Sequence, residues 1–181
     1  MSALITITSR VSAKRLHGEI PPAIHIAAML ACATNAPDHG RIRPWRFIKI
    51  EGQGLDALAR LFAEASCNAN TAAAEHSRKR AYLAPLVFVA VECLRRNTKI
   101  PEFEQTLSVG AATENLILAA RALGYGVMWK TGALAYDPVV RDQLGLAENE
   151  RIAGFIYVGD SESESQPRSR MACEQFVTSW P

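Results

Sequence analysis

The segment Asn35-Ala36-Pro37-Asp38-His39-Gly40-Arg41-Ile42-Arg43-Pro44-Trp45-Arg46-Phe47 concentrates more usable chemistry than any other in this sequence. Two prolines and a glycine stiffen it just before a short β-rich run, and it presents Asn35, His39 and Arg43. Functional side chains crowded on a rigid loop are how binding sites are commonly built. A stiff surface turn anchored by Trp45 fits the same residues equally well. A second cluster is Arg10-Val11-Ser12-Ala13-Lys14-Arg15. In an extended chain Arg10, Ser12 and Lys14 project the same way. A guanidinium, a hydroxyl and an ammonium side by side could cradle a phosphate and an electron-rich ring. Taken alone, the cluster reads more simply as a solvated basic stretch. A third group, Trp129-Lys130-Thr131-Gly132, could grip a ring edge and a phosphate, or could be a strand end with a core Trp, the simpler reading. In a fourth, Pro101-Glu102-Phe103-Glu104-Gln105, acids at a helix start serve the helix dipole.

The familiar catalytic motifs are absent: the sequence holds no GxGxxG, P-loop, HExxH or GxSxG pattern. His17, His25 and His76 have no partner pattern and read as surface or packing residues. The cysteines at 32, 67, 93 and 173 form no CxxC pair, so a zinc site is unsupported. Cys32 and Cys93 lie in apolar runs and read as buried free thiols.

These groups need elements to hold them. Pro21 to Ala33 is a helix with its prolines at the start, and Ile24, Ala27, Ala28, Ala31 and Cys32 recur at helical spacing. Trp45 to Ile50 alternates as a strand. Leu55 to Ala65 is a helix with Leu58, Leu61, Phe62 and Ala65 on one face, and a polar outer helix follows around Ala72 to Tyr82. Leu86 to Val91 is a continuous apolar run, suited to a strand buried on both faces. Phe103 to Leu123 is the longest helix, apolar nearly all round and therefore buried on most sides. Val127 to Lys130 is a brief strand, Asp137 to Leu144 a helix and Arg151 to Val158 a last strand. The order points to an α+β fold, not a regular βαβ series. Asp160 to Arg170 reads as an exposed connection to a C-terminal tail.

The chain has 181 residues, 49% hydrophobic and 21% charged, which suits one ordinary domain with a real core. With 20 basic and 18 acidic residues its net charge is +2, too balanced for a nucleic-acid binder. No apolar run is long enough for a membrane span. The start lacks a basic region followed by an apolar stretch, so a cytoplasmic setting is expected.

The segment Ala36 to Phe47 resembles the signature loop of the nitroreductase family, in its short bacterial branch. The similarity extends to Pro101 with Glu104-Gln105, Gly124-Tyr125-Gly126, Trp129-Lys130-Thr131-Gly132-Ala133-Leu134 and Gly154-Phe155-Ile156-Tyr157-Val158-Gly159. The resemblance implies an α+β nitroreductase-like fold with a central mixed sheet flanked by helices. It implies an intertwined homodimer with FMN at the interface. Residues 1–181 would then form a single nitroreductase-like domain, with 160–181 as a C-terminal extension. By the same resemblance, Arg10, Val11 and Ser12 meet the FMN phosphate and ribityl chain, with Lys14 beside them. Asn35 and His39 reach the flavin from the partner subunit, and Trp129, Lys130 and Thr131 form another flavin-contacting stretch. Ala119, Ala120, Arg121, Ala122, Leu123 and Gly124 correspond to a stretch that meets the nicotinamide nucleotide. The implied activity is NAD(P)H-dependent, ping-pong reduction of nitroaromatic, quinone or related small-molecule acceptors, with the flavin carrying the chemistry. Loops Cys67 to Arg80 and Arg95 to Phe103 would shape the acceptor pocket. The branch prefers Arg at positions 11 and 35 and Arg-Ser at 130 and 131. Val11 and Asn35 lack that charge, unless Arg43, Arg46 or Arg168 compensates. The alternative is therefore a flavin- or ligand-binding protein of this fold with weak or no turnover.

Overall fold

The computed structural model describes residues 2–66, 70–96, 98–161 and 172–180. Cys67, Arg168 and most of the expected exposed connection after Asp160 lie outside the described residues. The chain opens with helix α1 (Ala3–Ser9), which the sequence reading did not anticipate because Ile5, Thr6, Ile7 and Thr8 are β-branched. Local bonds offset that preference: the Ser2 hydroxyl accepts from the Ile5 N–H at 3.3 Å, and the Thr8 hydroxyl donates back to the Leu4 carbonyl at 2.7 Å.

Helix α2 (Ala23–Thr34) follows Pro21 and Pro22 as expected. Its buried side is Ile26, Met29 and Ala33, so the stripe chosen from the sequence is corrected: Ile24, Ala27, Ala28, Ala31 and Cys32 face outward. An all-apolar helix has no polar face to show which side goes in. The thiol of Cys32 is therefore exposed, not buried.

Strand β1 (Trp45–Glu51), helix α3 (Gln53–Ser66), helix α4 (Thr71–Arg80) and strand β2 (Leu86–Cys93) come next. Helix α5 (Glu102–Ala122), strand β3 (Gly126–Lys130), helix α6 (Pro138–Gln143) and strand β4 (Glu150–Gly159) complete the order. The Asn70 and Asp137 side chains cap α4 and α6 by accepting backbone N–H bonds.

The sheet runs β1-β2-β4-β3, and every pair of described strands is antiparallel. A mixed sheet was expected. The uninterrupted apolar run of β2 reports burial on both faces, which a central antiparallel strand with helices above and below also has. One face carries Val87, Val89, Phe155 and Tyr157 against Leu58 and Phe62 of α3 and Val140 of α6. The other carries Phe88, Ile156 and Val158 against Ile26 and Met29 of α2 and Leu116, Ile117 and Ala120 of α5. The expectation that α5 is buried on most sides holds only for its sheet side. Phe103 is 72% and Leu107 57% exposed, because a single chain covers α5 from one direction.

Glu150 ties the sheet together at the start of β4. Its two oxygens accept from Arg46 Nε and Nη2, each at 2.7 Å, and one also accepts from the Ala147 N–H at 2.9 Å. The guanidinium holds this carboxyl down at about 2. The half-buried Cys93 thiol donates to the same carboxylate at 3.2 Å, and burial pushes it up to about 12. Cys93 was expected to be a buried free thiol; it is free and half-buried, packing against the apolar core while its sulfur also meets the Glu150 carboxylate.

A carboxyl with a depressed folded-state pKa contributes stability above its ordinary value of 4.5 and loses it as the pH falls toward about 2. Glu150→Gln is expected to lower unfolding stability at neutral pH by roughly 2 kcal/mol. It should also flatten the acid limb of a urea-unfolding series over that pH window.

Candidate functional site

After α1 ends, the Ala13 N–H donates to the Val127 carbonyl at 2.9 Å, laying this stretch along β3. Arg10 and Ser12 thereby reach Trp129. Together with Val127 and with Glu114 and Ile117 of α5 they line a cavity of about 260 Å³. Val11 is half-buried beside it, and Lys14 is exposed and does not line it. Trp129 is 40% exposed, which corrects its reading as a core residue. Its indole N–H donates to the Ala153 carbonyl at 3.3 Å, and the ring occupies the space where a side chain on Gly154 would stand.

Glu114 was not anticipated as part of this group. Arg10 Nε stands 3.7 Å from Glu114 Oε1. Burial raises the pKa of this carboxyl, and the Arg10 charge partly opposes the rise. The available signal was an acid in the middle of the helix, beside Asn115 and away from the acids of its first turn.

The Trp129-Lys130-Thr131 run is divided by the pleat. Trp129 pairs with Ile156, which faces the α2 and α5 side, whereas Lys130 pairs with Phe155, which faces α3. Thr131 lies past the strand end, exposed, and its carbonyl accepts from Arg80 Nη2 at 3.2 Å. Of the stretch Ala119 to Gly124, Ala120 is fully buried in the core, while Ala122 and Gly124 are exposed where α5 ends.

A second group forms at the other end of α5. Asn35 closes α2, and its side chain is exposed. The loop beyond it places Gly40, Arg41 and Arg43 at φ of 69°, 53° and 50°. Left-handed backbone is costly for arginine, and such strain persists only where the surroundings enforce it. Here Asp38 Oδ2 accepts from the Arg43 N–H at 2.7 Å, and Ile100 packs where Gly40 lacks a side chain. Trp45 anchors the loop as expected, buried with Ala36, Val109 and Ala112. His39 Nδ1 lies 2.5 Å from Glu104 Oε2, across 65 residues of sequence. The dipole reading of Glu104 overlooked this partner. Gln105, fully buried, accepts from the Arg95 N–H at 2.8 Å and donates to the Arg95 and Ile100 carbonyls, both at 3.1 Å. Successive residues of α5 thus brace the His39 loop and the loop that supports it.

The two groups are far apart in one chain. Glu104 and Glu114 are ten residues apart on α5, or roughly 15 Å along the axis. Among the described residues no helix is long and apolar enough to cross a membrane.

With this geometry in place, comparison with known proteins identifies the class. The model of the nitroreductase family matches residues 7–160, and the chain belongs to that family of oxidoreductases. "Putative NAD(P)H nitroreductase YdjA" of Escherichia coli (strain K12) is 35% identical over 161 residues, covering 88% of each chain. A "Putative NAD(P)H nitroreductase" of Haemophilus influenzae is 30% identical over 182 residues, 98% of this chain and 99% of its own. Among solved structures, a nitroreductase-like family protein from Bacillus cereus superposes with a TM-score of 0.89 at 22% identity, covering 99% of this chain and 96% of its own. A nitroreductase-type protein from Desulfovibrio desulfuricans, solved in complex with FMN, superposes at 0.79 with 21% identity, covering 100% and 98%. At such identities the superpositions establish the fold.

Gly154→Ala is expected to dislodge the Trp129 indole, since the new methyl would overlap its nitrogen. Overpacking of this kind costs roughly 1–3 kcal/mol. A displaced indole N–H resonance in a ¹H–¹⁵N spectrum, together with a lower melting temperature, checks it.

Proposed function

We propose that this protein is an FMN-dependent oxidoreductase, working as a homodimer, that takes reducing equivalents from NAD(P)H and delivers them to nitroaromatic, quinone or related acceptors in ping-pong fashion. The observation that carries this reading is the convergence of Arg10, Ser12 and Trp129 on one cavity. A cation and a hydroxyl suit a phosphate. An exposed indole with the apolar side chains of Ile117 and Val127 suits a chain or ring beside it. The bound flavin would supply hydride acceptance and electron transfer. Within the site, Arg10 holds negative charge, Ser12 offers a hydroxyl hydrogen bond, and Trp129 excludes water from one side.

What one chain leaves unfinished supports the homodimer. Its cavity of about 260 Å³ falls below the roughly 300–1,000 Å³ of a typical small-molecule site. The second group, with Asn35 and His39, stands too far away to complete it within the chain. Apolar side chains crowd the uncovered surface: Leu4, Ile5 and Ile7 of α1, Ile24 of α2, and Phe103 and Leu107 of α5. A second copy would cover them and bring its own His39 loop to the cavity. Lys14, Lys130, Thr131 and the nicotinamide stretch Ala119 to Gly124 enter this reading through the family resemblance. The single domain with a C-terminal extension after residue 160 enters in the same way.

Glu114 favours a second reading, in which the protein binds flavin with weak or no turnover. A carboxylate faces the phosphate-binding arginine, and Val11 and Asn35 add no charge to offset it. Absorbance of the purified protein, FMN titration and NAD(P)H oxidation separate the two. Micromolar or tighter FMN affinity with turnover supports the enzyme; binding without NAD(P)H oxidation supports the binder; neither overturns both.

Arg10→Ala is expected to weaken FMN binding about 10- to 100-fold, the worth of hydrogen bonds to a charged group. Glu114→Gln, which removes the competing anion, is expected to tighten it. Isothermal titration of both variants checks the pair; equal affinities across wild type and variants would place the phosphate elsewhere.

A further inference from the structure

The contact between His39 and Glu104 needs a reason beyond stability. Both side chains are substantially exposed, at 66% and 42%. A solvent-exposed ion pair contributes roughly 0–1 kcal/mol. The expense around it is larger: two arginines held in left-handed backbone on the same loop, each costing on the order of 1–3 kcal/mol. The backbone that carries His39 is thus closely specified, and the remaining freedom lies in its side-chain torsions.

Glu104 removes that freedom. Its Oε2 contacts Nδ1, and because a carboxylate can only accept, this contact calls for the ring proton on that nitrogen. The two imidazole nitrogens flank Cε1 and their bonding directions diverge widely, so with Nδ1 on Glu104 the Nε2 is directed away from that carboxylate. Glu104 is itself held firmly. Its neighbour Gln105 is buried with three hydrogen bonds to the 95–100 loop, and Val109 on the next turn packs with Trp45. The His39 ring is therefore gripped from a helix while its loop is fixed by Asp38 and Ile100.

We propose that Glu104 is a positioning residue, which orders His39 before the cofactor binds and presents its Nε2 to the flavin of a partner subunit. This rests on the assignment of His39 to the flavin site made above. The reward is pre-organisation: an imidazole already in its bound rotamer loses less entropy on binding.

A double-mutant cycle on the full chain tests it. FMN dissociation constants are measured for wild type, His39→Ala, Glu104→Ala, the double variant and Glu104→Gln. Each single alanine variant is expected to weaken FMN about three- to tenfold. The double variant should be no weaker than His39→Ala alone, and Glu104→Gln, which keeps an acceptor oxygen, should recover most of the loss. Long-range ¹H–¹⁵N spectra of the FMN-free protein give a readout independent of the cofactor. The His39 ring should show a protonated Nδ1 in wild type and a tautomer mixture in Glu104→Ala, with melting temperatures confirming that the variants fold. Additive losses in the cycle, or a Glu104→Ala variant that binds FMN like wild type, would overturn the role of Glu104 and leave the flavin site standing. A wild-type chain that takes up no FMN would overturn the flavin site and this inference together.

Discussion

Helix α5 lies across β2 and β4 through Leu116, Ile117 and Ala120, and that contact decides where candidate ligand-binding side chains can stand. Its middle supplies Glu114 to the Arg10 cavity, and its first turns supply Glu104 and Gln105 to the His39 loop. Burying about one side of a long apolar helix offsets its ordering cost. The same geometry leaves Phe103 and Leu107 in solvent and sets the two polar groups about two to three turns apart. A helix so placed organises two separate polar groups, one at its first turns and one at its middle.

The elements were largely legible in the sequence because each has a strong local cause. Prolines open α2, Asp137 caps α6, and the apolar run of β2 fits a strand sandwiched between helix layers. What failed depended on partners distant in the chain. The wrong face of α2 was chosen because the helix is apolar nearly all round, so only packing against the sheet and α5 selects Ile26, Met29 and Ala33. Strand direction was not legible, since burial reads the same in parallel and antiparallel sheets. The helix α1 runs against β-branched propensity and rests on hydroxyl-to-backbone bonds that spacing alone does not reveal.

The candidate site divided in the same way. Residues singled out by type, Arg10, Ser12 and Trp129, do converge. Of those that join them, Glu114 at the cavity was not singled out, and Glu104 at His39 was explained by a local rule. A first-turn acid serves a helix dipole whether or not a histidine 65 residues away also needs it. The pleat likewise separated Trp129 from Lys130, which contiguity in sequence had placed in one grip. Local sufficiency hides distant purpose when one residue satisfies both.

The network around Glu150 bears on chemical durability as well as on folding. Quinones and related electrophilic acceptors arylate thiolates far faster than thiols. Cys93, pushed up to about 12 by burial and by its bond to Glu150, keeps its proton at neutral pH. A protein handling such acceptors would keep this interior sulfur unmodified, with its proton donated to the carboxylate that pins the sheet. Cys32, by contrast, stands exposed on the outward side of α2.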